Sequence, residues 1–308
     1  MKKRKDLATL GDVTQAELQA WFDLAIKLKA ETKAGKTHHL LAGKNLAMIF
    51  QKSSTRTRVS FEIAMRQLGG SGLYLSGSEL QLGRGETIAD TAKVLSRYVD
   101  GIMARVYAHS DILALAEHAT VPVINGLSDF SHPCQAVADY LTILEHKKSF
   151  KGLSLAYVGD GNNVAHSLLY GGAKLGVSVS IVCPKGYEPD ERVVKEATAD
   201  GKKTGSRIVV SNDVSAVKGA DVIYTDVWAS MGQEKEHEER VRIFKPYQVN
   251  AQLMAMTGKP DTLFMHCLPA HRGEEVTDEV VDSRQSVVFD EAENRLHAQK
   301  AILVSLMA

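Results

Sequence analysis

The sequence predicts an α/β protein of two domains, each a mainly parallel sheet flanked by helices. Three observations carry that prediction. Short apolar runs of buried-strand type alternate with amphipathic segments along most of the 308 residues, which is the pattern of βαβ units. Polar turns rich in hydroxyls or glycine follow several of these runs, at the strand ends where α/β sheets place ligands. Around residues 145–152 the pattern resets, with Glu145-His146-Lys147-Lys148 leading into 149–152. This stretch sets a predicted boundary between a first domain over 1–146 and a second over 147–290.

Composition narrows the function classes. Lys plus Arg and Asp plus Glu both number 37, so no overall basic charge argues for nucleic acid. No segment reaches the uninterrupted apolar length of a membrane span, and no apolar region follows the basic Lys2-Lys3-Arg4-Lys5. Three widely spaced cysteines argue against a disulfide framework and for a reducing compartment. The expectation is a cytoplasmic protein without nucleic-acid or membrane partners.

The first domain is organised around Ser53-Ser54-Thr55-Arg56-Thr57-Arg58. An apolar run at 46–50 precedes it as a strand, and Val59, Ile63 and Leu68 follow at roughly helical spacing. Hydroxyls at a helix start satisfy orphan N–H groups, and arginines add charge where the helix dipole already favours an anion. The run therefore reads as a phosphate or carboxylate seat, against the plainer reading of a capped helix with solvated arginines. It is not a P-loop, since no G-x-x-x-x-G-K-[ST] occurs.

Upstream, Thr14-Gln15-Ala16-Glu17 is a capping box opening a structural helix. Downstream, 73–75 suggests a strand, and the polar, glycine-rich 76–86 reads as a surface loop whose Gln81 and Arg84 can still reach an anion. An amphipathic helix over 88–99, a strand over 102–106 ending near Arg105, a helix over 111–119 and a strand over 121–127 follow. His132-Pro133-Cys134-Gln135 then opens a helix, with Pro133 suited to its first position. His132 there faces a bound anion or carbonyl, or simply caps the helix.

In the second domain, strands are predicted over 153–158, 177–182, 208–210, 221–225 and 262–267. Helices are predicted from about 163, over 191–198 and from 246. Gly159-Asp160-Gly161-Asn162-Asn163 sits at the first strand–helix turn but lacks a dinucleotide fingerprint: the third glycine is missing, and no acidic residue ends the strand over 177–182. A smaller polar ligand suits it better. Asp226 to Gly232, reading DVWASMG, offers a carboxylate, a hydroxyl and backbone N–H groups to the two ends of an amino acid. The charged run over 233–242 is read as a solvated loop or face. Cys267, in the turn His266-Cys267-Leu268-Pro269, invites a thiolate nucleophile with His132 or His266, or a zinc site with His266 and His271. The first lacks the surroundings of a cysteine-enzyme family and the second lacks paired ligand spacing, so no metal is expected. A final helix is predicted over 295–307, introduced by Asp290-Glu291-Ala292-Glu293-Asn294.

Seven of these stretches together resemble the carbamoyltransferase family over nearly the whole chain. They are SSTRTR at 53–58, the loop with Gln81, HPCQ at 132–135, GDGNN at 159–163, DVWASMG at 226–232, HCLPAHRG at 266–273 and EAENRLHAQKA at 291–301. The SMG and HCLP turns are those of members that accept ornithine rather than aspartate; acceptance of putrescine or an N-acylated ornithine is the alternative. The resemblance implies a first domain (1–146) that binds carbamoyl phosphate and a second (147–290) that binds ornithine. It also implies a C-terminal helix (291–308) crossing back to complete the first domain. An active site between the domains, no cofactor, and a homotrimer or multiple of trimers are implied as well.

By the same resemblance, Ser54, Thr55, Arg56 and Thr57 bind the phosphate. Arg105, His132, Pro133, Cys134, Gln135, Cys267, Leu268 and Arg295 surround the carbamoyl end and bridging oxygen, and a neighbouring subunit supplies Gln81. Asn163, Asp226, Ser230 and Met231 form the ornithine site, with Asp226 on the α-ammonium. Arg56, Arg105, His132 and Cys267 are the residues expected nearest the chemistry, Cys267 as a substrate contact near the ornithine amine. The implied reaction is attack of the δ-amine on the carbamoyl carbon with loss of phosphate, in a step of arginine biosynthesis or breakdown.

Overall fold

In the computed structural model, which describes residues 6–78, 85–229 and 236–308, the chain divides into two units. One comprises Met1–Ala138 and Glu293–Ala308, the other Asp139–Ala292.

The first unit contains α1 (Gln15–Lys33), β1 (Asn45–Phe50), α2 (Thr55–Gln67), β2 (Ser71–Ser76), α3 (Ile88–Leu95), β3 (Gly101–Arg105), α4 (His109–His118) and β4 (Val123–Leu127). The start of α5 (Pro133–Lys147) also belongs to it. Among the described residues its strands form one all-parallel sheet in the order β2-β1-β3-β4. The capping box at α1 is complete: Thr14 Oγ1 accepts from Glu17 N, and Glu17 Oε2 accepts from Thr14 N. β1 is buried from Leu46 to Phe50, as a central strand covered on both faces must be.

The chain returns to this unit in α11 (Val288–Met307). Ala298, Ala301, Ile302, Leu303, Leu306 and Met307 are buried along it, each larger aliphatic side chain contributing about 1.5–3 kcal/mol. Lys300, fully buried, donates to Thr32 Oγ1 of α1 (2.7 Å) and Gln67 Oε1 of α2 (3.1 Å), and Lys29 donates to Asn294 Oδ1 (2.8 Å). The helix begins at Val288, seven residues before the predicted 295. The stretch expected to lead into it is its own first turns, where Asp290 complements the helix dipole and Glu291 is buried.

Burial holds the His297 pKa down to about 4, with Glu293 partly opposing and Lys29 adding to the shift. A histidine with a depressed folded pKa favours the folded state above the unfolded value of about 6.5, and that stability is lost as pH falls toward the folded value. His297→Gln is therefore expected to flatten the loss of Tm between pH 6.5 and about 4; an unchanged Tm profile would refute this.

The second unit contains the rest of α5, β5 (Ser154–Val158), α6 (Asn163–Leu175), β6 (Ser178–Val182), α7 (Glu191–Thr204), β7 (Ile208–Ser211), β8 (Val222–Thr225), α8 (His237–Phe244), α9 (Ala251–Met256), β9 (Leu263–His266) and α10 (Asp278–Val281). Its described strands form a parallel sheet in the order β7-β6-β5-β8-β9. The core under this sheet is built from Val158, Ile223, Val249, Leu253, Phe264 and Val280 with their neighbours.

Part of the charged run over 233–242 is not solvated. Arg240 of α8 is buried, and its Nη1 donates to Asp160 Oδ2 and to the Trp228 carbonyl, each at 2.9 Å. Residues 230–235, with Ser230 and Met231, lie outside the described residues, as do Gln81 and Arg84.

Candidate active site

Both sheets change winding direction beside their first strand, and there the C-terminal ends of adjacent strands open a crevice that suits a ligand. In the first unit that point lies between β1 and β3. The SSTRTR turn follows β1, Arg105 ends β3, and His132 follows β4. Gln51 ties two of these turns together, donating to Asp111 Oδ2 (2.9 Å) and accepting from Tyr107 N (2.9 Å).

Ser54 caps α2: its Oγ accepts from Thr57 N (3.3 Å) and donates to Thr57 Oγ1 (3.1 Å). Thr55 is exposed and Arg56 half-buried in the first turn, while Thr57 is buried. Arg295, reaching in from α11, donates through Nη2 to Thr57 Oγ1 (2.8 Å) and through Nη1 to Gln135 Oε1. The same Nη1 lies 3.5 Å from His132 Nε2. A guanidinium fork thus joins the first turns of α2 and α5, and a lysine has no equivalent geometry.

His132 is buried, and burial together with Arg295 and Arg105 holds its pKa well below the usual histidine value. It is a neutral imidazole near pH 7, able to donate one N–H without bringing a charge. Its carbonyl accepts from Gln135 N (3.1 Å) and Ala136 N (3.2 Å), so His132 is the N-cap of α5 and Pro133 the first helical residue. The turn before it is held by Asn125, whose Nδ2 donates to Ser128 Oγ (3.2 Å) and the Ser131 carbonyl (3.3 Å). Cys134 faces the core instead: its thiol donates to the Asn125 carbonyl (3.4 Å), and burial pushes its pKa up to about 12. Only its main chain remains for a ligand.

In the second unit the winding changes between β5 and β8. Gly161 passes so close to the 187–189 segment that a Cβ would stand 2.3 Å from Pro189 N, so the turn after β5 needs glycine there. Asn162 caps α6, accepting from Val164 N (2.9 Å), and its Nδ2 donates to Asp226 Oδ2 (3.2 Å) after β8. Asp226 Oδ1 accepts from Val227 N (2.8 Å) and from the Cys267 thiol (3.2 Å). Three turns thus converge on one carboxylate. Asn163, the predicted ligand, is a buried first residue of α6 whose carbonyl accepts from Ser167 Oγ (2.9 Å).

Burial, Asp226 and Glu291 push the Cys267 thiol well above its ordinary value. A thiolate nucleophile is suppressed where both burial and carboxylates oppose it. The turn itself is braced from below. His266 Nδ1 accepts from Leu268 N (2.8 Å) and its Nε2 pairs with Glu275 Oε1 (3.0 Å), while Glu291 Oε2 accepts from His266 N (3.0 Å). Leu268 is held at φ +57°, a conformation that costs a non-glycine residue energy and persists only where surroundings impose it. Asp226, His266 and Cys267 place possible ligand atoms within 4.8 Å of one another, but both His266 nitrogens are already engaged, which leaves them poor metal donors.

Sequence reasoning singled out neither Asn162, Gln51 nor Arg240. Asn162 had the clearest signal, an asparagine at the N-cap position of a helix; the other two act through tertiary partners.

Residues 5–145 match the family described as "Aspartate/ornithine carbamoyltransferase, carbamoyl-P binding domain", and residues 151–306 match its "Asp/Orn binding domain". The chain is 63% identical over 306 residues to a Pyrococcus abyssi protein named ornithine carbamoyltransferase, covering 99% of this chain and 96% of that one. It is 63% identical over 304 residues to a Pyrococcus furiosus protein named "Ornithine carbamoyltransferase, anabolic", covering 98% and 96%. A solved ornithine carbamoyltransferase structure from Pyrococcus furiosus superposes with a TM-score of 0.95 at 63% identity, over 98% of this chain and 97% of that one. One from Thermus thermophilus does so at 0.89 and 43% identity, over 99% of both. Matched in both halves and along almost its whole length, the chain belongs to the aspartate/ornithine carbamoyltransferase family.

Proposed function

We propose that this chain is an ornithine carbamoyltransferase: it transfers the carbamoyl group of carbamoyl phosphate to the δ-amine of L-ornithine, releasing L-citrulline and phosphate. The observation that carries this reading is the 63% identity over 306 residues to a relative of that name. The arrangement within each unit is consistent with it. The first unit offers cations and a helix N-terminus to an anion, and the second offers a carboxylate to an ammonium.

In the proposed mechanism the phosphate sits on Ser54, Thr55, Arg56 and Thr57 at the start of α2. Carbamoyl phosphate carries about two negative charges near neutral pH. Its phosphate gains more as the C–O bond breaks, and Arg56, Arg105 and Arg295 stabilise that charge where it develops. The carbamoyl oxygen, negative in the tetrahedral transition state, takes hydrogen bonds from Arg105, Thr57 and the neutral His132. Gln135 orients the Arg295 fork, and the main chains of Pro133, Cys134 and Leu268 shape the carbamoyl pocket. Asp226 receives the ornithine α-ammonium, with Asn163, Ser230 and Met231 near the carboxylate and Cys267 near the side-chain amine. Gln81 is contributed by a neighbouring subunit of a homotrimer or a multiple of trimers. Cytoplasmic arginine biosynthesis is the proposed role, supported by the anabolic name of the Pyrococcus furiosus relative.

The attacking amine must be neutral, and a lysine-like amine has a pKa of about 10.4. Deprotonating it at pH 7 costs roughly 4 to 5 kcal/mol, at about 1.36 kcal/mol per unit. Because His132 is already neutral, its protonation should not mask this limb. The expected result is citrulline formation with kcat/KM for ornithine rising about tenfold per pH unit from about 6 to 8. A panel of ornithine, putrescine and N-acetylornithine tests the acceptor. Faster turnover of putrescine or N-acetylornithine would overturn the assignment, and a rate independent of pH would remove the neutral amine.

A further inference from the structure

His237, His271 and Glu274 stand outside the residues assigned to either substrate. His237 is the first residue of α8; His271 and Glu274 lie in the turn that follows Cys267. His237 Nε2 is 3.0 Å from Glu274 Oε2, and His271 Nδ1 is 3.6 Å from the same oxygen. The possible ligand atoms of all three lie within 4.8 Å of one another. We propose that these residues form a site for a borderline divalent metal ion of the zinc class, clamping the start of α8 to the turn after β9.

The separation that lets His237 and Glu274 share a hydrogen bond also leaves room for the three side chains to share an ion. Zinc takes nitrogen and carboxylate oxygen at about 2.0 to 2.2 Å in tetrahedral arrangement, so neighbouring ligand atoms stand about 3.3 to 3.5 Å apart. Two of the three separations, 3.0 and 3.6 Å, fall on either side of that edge length, and the third lies within 4.8 Å. Two imidazoles and one carboxylate suit zinc, nickel, cobalt or copper better than magnesium or calcium, which want more oxygens. Three protein ligands leave a fourth position to water, and side-chain exposures of 31 to 45% give an ion a way in.

The turn is already fixed before any ion arrives. Glu274 N donates to the His271 carbonyl (2.9 Å), Gly273 takes φ +89°, and Gln248 Nε2 donates to the Gly273 and Glu274 carbonyls (2.8 and 2.7 Å). His271 N donates to the buried Glu275 (2.6 Å). The local charge is mixed: Glu238 and Glu239 follow His237 in the first turn of α8 and nearby Arg272 is paired with Asp278 and Asp282, while Lys245 Nζ donates to the Gly273 carbonyl (3.3 Å). The zinc reading drawn from the sequence grouped His271 with Cys267 and His266; the fold gives His271 different partners.

The test is a Co²⁺ titration of the full-length chain after chelator treatment, followed by displacement with Zn²⁺. The expected spectrum has the visible bands of a four- or five-coordinate nitrogen–oxygen site and no thiolate charge-transfer band. His237→Gln and, separately, Glu274→Gln should each weaken binding by more than about tenfold, and Cys267→Ser should leave it unchanged. Tm of the wild type should rise with Zn²⁺, and that rise should disappear in His237→Gln. Absence of saturable Co²⁺ binding to the wild type would overturn the proposal whatever the variants do. So would a thiolate band that disappears in Cys267→Ser, which would put the ion at the Asp226–Cys267 pair.

Discussion

Arg295→Ala is expected to lower kcat by roughly a thousandfold or more while leaving the protein folded with a reduced Tm. Removing one donor from a site of developing negative charge costs about 10²–10³ in rate. Arg295 also organises the other donors, since its fork spans Thr57 and Gln135 and its Nη1 approaches His132. Loss of the fork leaves Thr57 and Gln135 without a charged partner, at about 1–3 kcal/mol for each buried group. Removing a cation from beside Arg105 and His132 offsets part of that. Arg295→Lys keeps the charge but cannot span both acceptors, so it should recover stability better than rate. Steady-state kinetics and thermal melts of the two variants decide the matter. Near-normal kcat in Arg295→Ala, with only Tm reduced, would make the residue a structural strut.

Asp226→Asn is expected to weaken ornithine by about a hundredfold or more while carbamoyl phosphate binding stays close to normal. A charge pair with one partner truncated typically loses 2–5 kcal/mol, about 30-fold to several-thousandfold in affinity. The substitution also replaces an acceptor of three hydrogen bonds, from Asn162, the Val227 N–H and Cys267, with a group that must donate on one side. Calorimetric titration with each ligand separates the outcomes, and equal loss of both would refute the assignment. The same variant carries a second readout at Cys267. Burial is the larger cause of the raised thiol pKa and Asp226 the next, so removing that charge should lower it and speed alkylation at pH 8 without making the thiol fully reactive. An unchanged alkylation rate would show that burial alone governs the thiol.

Much of the fold was legible because its signals are local. The capping box at Thr14, the hydroxyl cap at Ser54, Pro133 at the first helical position and the apolar run before Ser53 each act within a few residues. The pattern gave less where burial had to be known first. The run over 233–242 reads as solvated because five of its residues, 234–236 and 238–239, are acidic or lysine. Buried Arg240 nevertheless binds Asp160, 80 positions earlier in the chain. The first turns of α11 carry Asp290 and Glu291, which read as a polar lead-in until Glu291 is seen to be buried against Tyr224 and His266.

The sequence by itself determined the alternation of strand and helix, the polar turns at strand ends and the kinds of group each turn offers. Those follow from side-chain periodicity and from the few backbone N–H groups that a cap must satisfy. Tertiary structure alone decided which of those groups meet. Arg295 reaches Thr57 across 238 positions and Gln135 across 160, and Cys267 reaches Asp226 across 41. Such pairings depend on strand order, β2-β1-β3-β4 and β7-β6-β5-β8-β9, and on the return of α11 to the first unit. Strand order is set by the packing of whole faces against one another, a sum over distant side chains that no local stretch encodes.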